Sequence, residues 1–192
     1  MSLIGLKIGI GITGSFCSFE KVYSVMQDLN DQGADLYPIM SFAANGNDTK
    51  FGLAADWNKK FMDLTGKPLV NTIAGAEPIG PTAFLDIMVV APCTGNTMAR
   101  MANGITDTPV TMACKAHLRN GKPVVIAMAT NDGLGASIRN IATLLNSKNI
   151  YFVPFGQDNA IKKPNSLVCD FDLIGPAVEQ ALKGKQLQPI LL

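Results

Sequence analysis

One stretch constrains the fold more than any other: Asp86-Ile87-Met88-Val89-Val90-Ala91-Pro92-Cys93-Thr94-Gly95-Asn96-Thr97-Met98-Ala99-Arg100. Its apolar run has the length of a strand and no alternation, which predicts burial on both faces, as in the middle of a parallel sheet. A proline stops the run, a loop of small and polar residues follows, and helical spacing then begins. The loop therefore falls at the carboxyl end of a central strand, where open α/β sheets bind ligands. Thr94, Asn96 and Thr97 bring hydroxyls, an amide and backbone N–H groups to a helix start, a seat for an anion or for the polar edge of a ring.

The rest of the chain repeats this grammar. Leu6 to Ile12 reads as strand one. Ser15 is placed to cap a helix whose apolar positions are Phe19, Val22, Met26 and Leu29, and Ala34 to Met40 is strand two, so the chain opens as βαβ. Ser41 to Gly52 is a long polar loop, Ala54 to Leu64 a helix, Val70 to Ile73 a short strand and Ala74 to Pro81 a loop. After the central strand, Asp107 or Thr108 caps a helix with Pro109 in its first turn. Val124 to Met128 is a second buried strand, ending in the polar loop Ala129-Thr130-Asn131-Asp132-Gly133. Leu134, Ile138, Ile141 and Leu145 mark a helix, Ile150 to Val153 a strand, Pro154 to Ser166 an irregular segment, and Ile174 to Leu182 the last helix. The apolar tail from Gln186 is of a kind that docks on a neighbour.

Gly9, Gly11 and Gly14 match the dinucleotide fingerprint Gly-x-Gly-x-x-Gly. That motif needs an acidic residue at the end of strand two for a ribose hydroxyl. Here strand two ends in Ile39-Met40-Ser41, which argues against NAD at this turn. A phosphate at the Gly14-Ser15 helix start and a plain tight turn with a capping serine both remain open.

Composition excludes several classes. The 192 residues carry a net charge of +1 without a basic run, so nucleic acid is not an expected partner. No apolar stretch is long enough to span a membrane, and the N-terminus lacks the pattern of a signal peptide. Cys17, Cys93, Cys114 and Cys169 are scattered and only one histidine is present, so a zinc site is not expected and reduced thiols in a cytoplasmic protein are. Cys93 has no adjacent base and reads as a small packing residue. Charged residues make up only 16%, which points to surface buried between subunits.

The loops at the strand ends, taken together and in order, resemble the flavoprotein family of homo-oligomeric, FMN-containing decarboxylases. Gly11-Ile12-Thr13-Gly14-Ser15 resembles that family's first turn, Pro92-Cys93-Thr94-Gly95-Asn96-Thr97 its Pro-Ala-Ser-Ala-Asn-Thr motif, and the loop ending at Asn131 its Pro-x-Met-Asn segment. The resemblance implies one α/β domain over residues 1–192, with a three-layer, Rossmann-like (flavodoxin-like) parallel sheet and helices on both faces. It implies FMN as cofactor, held by Gly14, Ser15, Phe16, Ser41, Pro92, Thr94, Asn96, Thr97, Ala129, Thr130 and Asn131, and a homo-oligomer built on trimers.

Thr49-Lys50-Phe51-Gly52, Ala76-Glu77-Pro78-Ile79-Gly80-Pro81, Thr130-Asn131-Asp132-Gly133-Leu134-Gly135, Val153-Pro154-Phe155-Gly156-Gln157-Asp158 and Lys162-Lys163-Pro164-Asn165-Ser166 are similar to a branch of that family from spore-forming bacteria. That branch works beside a separate NADP-binding Rossmann chain. The similarity implies oxidation of a dihydrodipicolinate-type intermediate to dipicolinate in the mother-cell cytoplasm. Asn131, Lys162 and Lys163 would meet the substrate, a small dicarboxylate, and no catalytic residue is assigned. The decarboxylating relatives use a histidine after strand two or three, whereas His117 lies in the Thr111 to Arg119 helix, where it reads as a satisfied or exposed helix residue. Three readings follow: an oxidoreductase subunit that holds substrate or FMN in the cleft, a non-catalytic assembly subunit for the NADP-binding chain, and an FMN-dependent decarboxylase.

Overall fold

The computed structural model describes residues 3–192, so Met1 and Ser2 of the expected 1–192 domain lie outside the described residues. Strand β1 (Lys7–Ile12) lies between β2 (Asp35–Met40) and β3 (Ile87–Cys93), β4 (Val124–Thr130) follows β3, and β5 (Ile150–Phe152) follows β4, all in parallel. The order β2-β1-β3-β4-β5 is that of flavodoxin-like sheets. All seven residues of β3 are buried, as the unbroken apolar run requires. Its register against β4 shifts between Val90 and Cys93, around a proline that has no N–H to give to the ladder.

Helices cover both faces. Helix α1 (Phe19–Asp31) buries Phe19, Val22, Val25, Met26 and Leu29, one face at helical spacing. After the short helix α2 (Phe42–Gly46), α3 (Ala54–Thr65) packs on α1 through Trp57 and Phe61, whose rings meet Phe19 at 5.3 and 6.2 Å. On the other face, Thr108 and Thr111 form a reciprocal cap that starts α7 (Pro109–Leu118). Gly11 serves this packing, and Gly9 makes room within the sheet. A β-carbon at Gly11 would lie 2.8 Å from Val110 Cγ1, and one at Gly9 would collide with Met88 Sδ and Leu85. Two glycines of the apparent fingerprint are thus packing positions, Gly11 against a helix and Gly9 against the neighbouring strand.

Several segments differ from the sequence expectation. Pro154 to Ser166 is largely an antiparallel hairpin of β6 (Phe155–Asn159) and β7 (Lys163–Cys169). Strand β7 joins β4 through Ala129–Val168 and Thr130–Leu167, so the sheet is mixed, with five parallel strands. The outer edge of β4 is shared, β5 pairing with its first half and β7 with its end. Ser41 starts α2 by accepting the Ala44 N–H at 3.3 Å, where the sequence pattern suggests a loop. Val70 makes a single bridge to Ile39 instead of a strand, and α4 (Ile73–Ala76) and α5 (Ile79–Thr82) replace the expected loop. After α6 (Gly95–Ala102) and α7, helix α8 spans Ile138–Leu145 and starts late, because Asp132 to Ser137 is tied down first: Leu134 donates to the Asn165 carbonyl at 3.0 Å. The last helix, α9, spans Ile174–Ala181.

The tail docks on its own chain. Gln186 accepts the Phe152 N–H at 2.8 Å and donates to the Phe152 carbonyl at 2.6 Å, while Ile190 and Leu192 pair with Phe155. Among the described residues, no helix is long and apolar enough to cross a membrane.

Candidate functional site

A cleft of about 710 Å³ opens at the carboxyl ends of β1, β3 and β4. The crevice lies where the chain leaves β1 for β2 on one side and returns to β3 on the other, the switch point that open α/β sheets use for ligands. The loop after β1 supplies Gly14, Ser15, Phe16 and Cys17, the loop after β3 supplies Thr94, Gly95 and Asn96, and the end of β4 supplies Ala129 to Asp132. Asp158, Lys163 and Ser166 of the hairpin form the far wall, with Lys21 and Phe51 at the rim.

Buried Thr13 ties two of these loops together. Its hydroxyl donates to the Pro92 carbonyl at 2.7 Å and accepts the Thr94 N–H at 3.0 Å. Thr94 then caps α6, accepting the Thr97 N–H at 3.3 Å. This leaves the Gly95 and Asn96 N–H groups without an acceptor among the described residues. In the first loop, Ser15 N–H donates to Thr13 and Ser18 N–H to Ser15, while the Gly14, Phe16 and Cys17 N–H groups have no acceptor among the described residues. Two helix starts with free donors thus converge on one cavity.

The cleft carries charges of both signs, Lys21 and Lys163 against Asp132 and Asp158. Lys163 pairs with Asp158, which raises the lysine's pKa. Asp132 accepts the Thr130 hydroxyl at 2.6 Å and the Ser137 hydroxyl at 2.9 Å. The Thr130 hydroxyl, seconded by Ser137 against the opposing push of burial, holds this carboxyl below its ordinary range.

Nine sequence-predicted residues line the cleft: Gly14, Ser15, Phe16, Thr94, Asn96, Ala129, Thr130, Asn131 and Lys163. Four others stand outside the lining. Ser41 is buried and engaged as the cap of α2; Pro92 is buried and gives its carbonyl to Thr13; Thr97 is buried, with its hydroxyl 3.0 Å from that of Thr94. Lys162 sits in the hairpin turn, donating its N–H to Asn159 Oδ1 at 2.7 Å. Ser15 makes no side-chain cap, because the chain enters α1 through a 3-10 turn over Phe16–Ser18; its hydroxyl lies 3.3 Å from that of Ser18. Asp132, Asp158 and Ser166 also line the cleft; each stands in a loop or motif that the sequence singles out, but the sequence reading assigns none of them to the site. Asp132 carried a signal, as the polar residue beside Asn131, whereas Asp158 and Ser166 reach the cleft only through the β6–β7 pairing, which the sequence pattern does not show.

Cys93 is fully buried, and burial pushes its thiol well above the ordinary range, in keeping with a packing role. His117 corrects the expectation. It is fully buried, and neither ring nitrogen has a hydrogen-bond partner among the described residues.

An open, mostly parallel sheet in the order β2-β1-β3-β4-β5 with helices on both faces defines a flavodoxin-like α/β protein, and the chain belongs to the flavoprotein family, whose family model matches residues 2–177. The dipicolinate synthase B subunit of Bacillus subtilis (strain 168) is 48% identical over 191 residues, covering 100% of this chain and 96% of that protein. The crystal structure of the dipicolinate synthase B subunit from Bacillus halodurans C superposes with a TM-score of 0.92 at 46% identity, covering 100% of this chain and 98% of that one. The FMN-dependent cysteine decarboxylase SpaF shares the fold, with a TM-score of 0.70 at 23% identity over 94% of this chain and 97% of that one.

Proposed function

We propose that the chain is one component of an oxidoreductase that forms dipicolinate, working with a dipicolinate synthase A subunit that carries NADP, and that it binds FMN or the ring substrate in the cleft. The observation that carries this reading is the convergence of free N–H groups at Gly14, Phe16, Cys17, Gly95 and Asn96 on one 710 Å³ cavity. Such donors, aided by the helix dipoles, favour an anionic group. The full-length similarity to dipicolinate synthase B subunits supplies the chemistry.

The residues present fit FMN. Gly14 to Cys17 would take its phosphate, and Asn96 and Asn131 would meet the polar edge of the ring, with Thr130 already engaged by Asp132. Bound FMN supplies a hydride acceptor. The chain's own groups bind and orient, since no group in the cleft is placed here as a general base. In this reading residues 1–192 act as one domain of a homo-oligomer in the mother-cell cytoplasm of a spore former. A second reading, an assembly role for the A subunit, draws on Ile138 and Leu145, exposed two turns apart on one face of α8.

Titration of the pure protein with FMN, followed by absorption, tests the first reading. A shifted flavin band that saturates near a 1:1 ratio is expected. An unshifted band removes the flavin, leaving the seat to a phosphate or dicarboxylate and the hydride acceptor to the A subunit. Asn96→Asp, which adds a negative charge beside the free N–H groups, is expected to abolish activity of the two-component complex while the circular dichroism spectrum is kept. Full activity in that variant favours the assembly role.

A further inference from the structure

The two helix starts in the cleft are not equivalent. At Gly14–Cys17 the free N–H groups belong to residues that line the cavity, and Lys21, which makes no ion pair among the described residues, lines the same space. At α6 a negative charge already stands beside the free N–H groups. A β-carbon on Gly95, the first residue of α6, would lie 2.8 Å from both Thr130 Oγ1 and Ser137 Oγ and 3.0 Å from Asp132 Oδ1. The glycine therefore makes room for a carboxylate and the two buried hydroxyls that anchor it. Both hydroxyls donate to the same oxygen, Oδ1, which leaves Oδ2 for a ligand. Across the cleft, the Lys163 ammonium is paired with Asp158.

We propose that Asp132 is a specificity-determining residue of the cleft. It admits ligands with one anionic end, seated at Gly14–Cys17, and a neutral N–H-bearing end turned to Asp132, and it rejects ligands anionic at both ends. This deepens the cleft reading above and rests on it. A carboxylate held ionised is an acceptor only: it takes a charge-assisted hydrogen bond from a ring N–H and repels a second carboxylate. FMN, with a phosphate at one end and an imide N–H at the other, satisfies the pattern. Dipicolinate, with a carboxylate on each side of its ring, does not. The inference favours the flavin over the dicarboxylate as the occupant of this cleft.

The test is calorimetric titration of the full chain and its Asp132→Asn variant with FMN and, separately, with dipicolinate. The variant is expected to bind FMN about tenfold more weakly, for want of a charge-assisted hydrogen bond, and dipicolinate about tenfold more tightly, because a repulsion is relieved. Ser137→Ala, a buried positioning change that leaves Thr130 in place, is expected to move both affinities in the same two directions by less. Opposite signs for the two probes are what a merely structural role does not produce. Affinities that both fall, both rise or both stay unchanged in Asp132→Asn overturn the assignment. If the wild type takes no FMN, the flavin reading fails by itself and dipicolinate decides: tighter binding in the variant supports the role of Asp132, and unchanged binding overturns it. A cleft that takes neither probe in either protein overturns both.

Discussion

The parallel part of the sheet and the hairpin that extends it are built on different terms. Strands β1, β3 and β4 are buried on both faces almost throughout and pair with neighbours whose apolar side chains fill the layers above and below. In β6 and β7 the residues flanking the turn, from Gln157 to Asn165, are exposed, and Ile161 at the tip is 93% exposed. Yet both parts deliver residues to the same cleft. The first is a scaffold whose shape is over-determined, and the second a wall whose side chains are free to be chosen for the ligand.

The largest expected break of this contrast is a matched pair of substitutions. Ile126→Ala, at a fully buried position in β4, is expected to cost about 2–5 kcal/mol, while Ile161→Ala stays within about 0.5 kcal/mol. Urea denaturation of both variants checks this, and similar midpoints would dissolve the distinction. The next effect comes from α7. Burial, and then the Lys122 ammonium, push the His117 pKa from 6.5 down to about 4, against a smaller pull upward from the Pro123 backbone, which lies near the ring but outside hydrogen-bonding geometry, and from the Asp86 carboxylate. The unfolded chain therefore takes up this proton first as pH falls. The stability due to neutral His117 is whole above pH 6.5 and drains by about 3 kcal/mol between 6.5 and 4. His117→Leu, which removes two unpaired buried nitrogens, is expected to be neutral or stabilising at pH 7 and to flatten that part of the pH profile. A profile unchanged by the substitution would assign the acid loss to carboxylates instead. The smallest effect sharpens the comparison at its seam. Thr13→Val leaves the Thr94 N–H without its acceptor and is expected to cost about 1–3 kcal/mol in the same denaturation assay, together with weaker FMN binding.

The parallel part was legible because its signal is local. The runs Ile87 to Ala91 and Val124 to Met128 have no alternation to misread, and Thr94 and Thr108 stand where caps belong. The hairpin was not legible because its strands lack an apolar pattern at the turn and β7 finds its partner, Ala129 and Thr130, far back in the chain. The same limit explains the two lysines. Lys163 enters the strand and faces the cleft, while Lys162 stays in a turn set by the Asn159 side chain, a distinction that composition does not carry. Ser41 and Thr97 have the right chemistry for a ligand, but each is spent on a helix start, and a hydroxyl engaged this way looks the same in sequence as one that is free. Asp132 shows the converse, a functional candidate hidden because its meaning depends on Gly95, a residue from a different loop.

The double hydrogen bond between the Gln186 amide and the backbone of Phe152 also acts beyond its own site. Strand β5 is only three residues long and has β4 on one side, so its other edge would present unpaired N–H and C=O groups to any extended chain that drifted past. A side-chain amide carries the same donor and acceptor as a peptide group. By placing one there, the chain supplies itself with a decoy neighbour and denies that edge to strangers, which guards against edge-to-edge aggregation without lengthening the sheet.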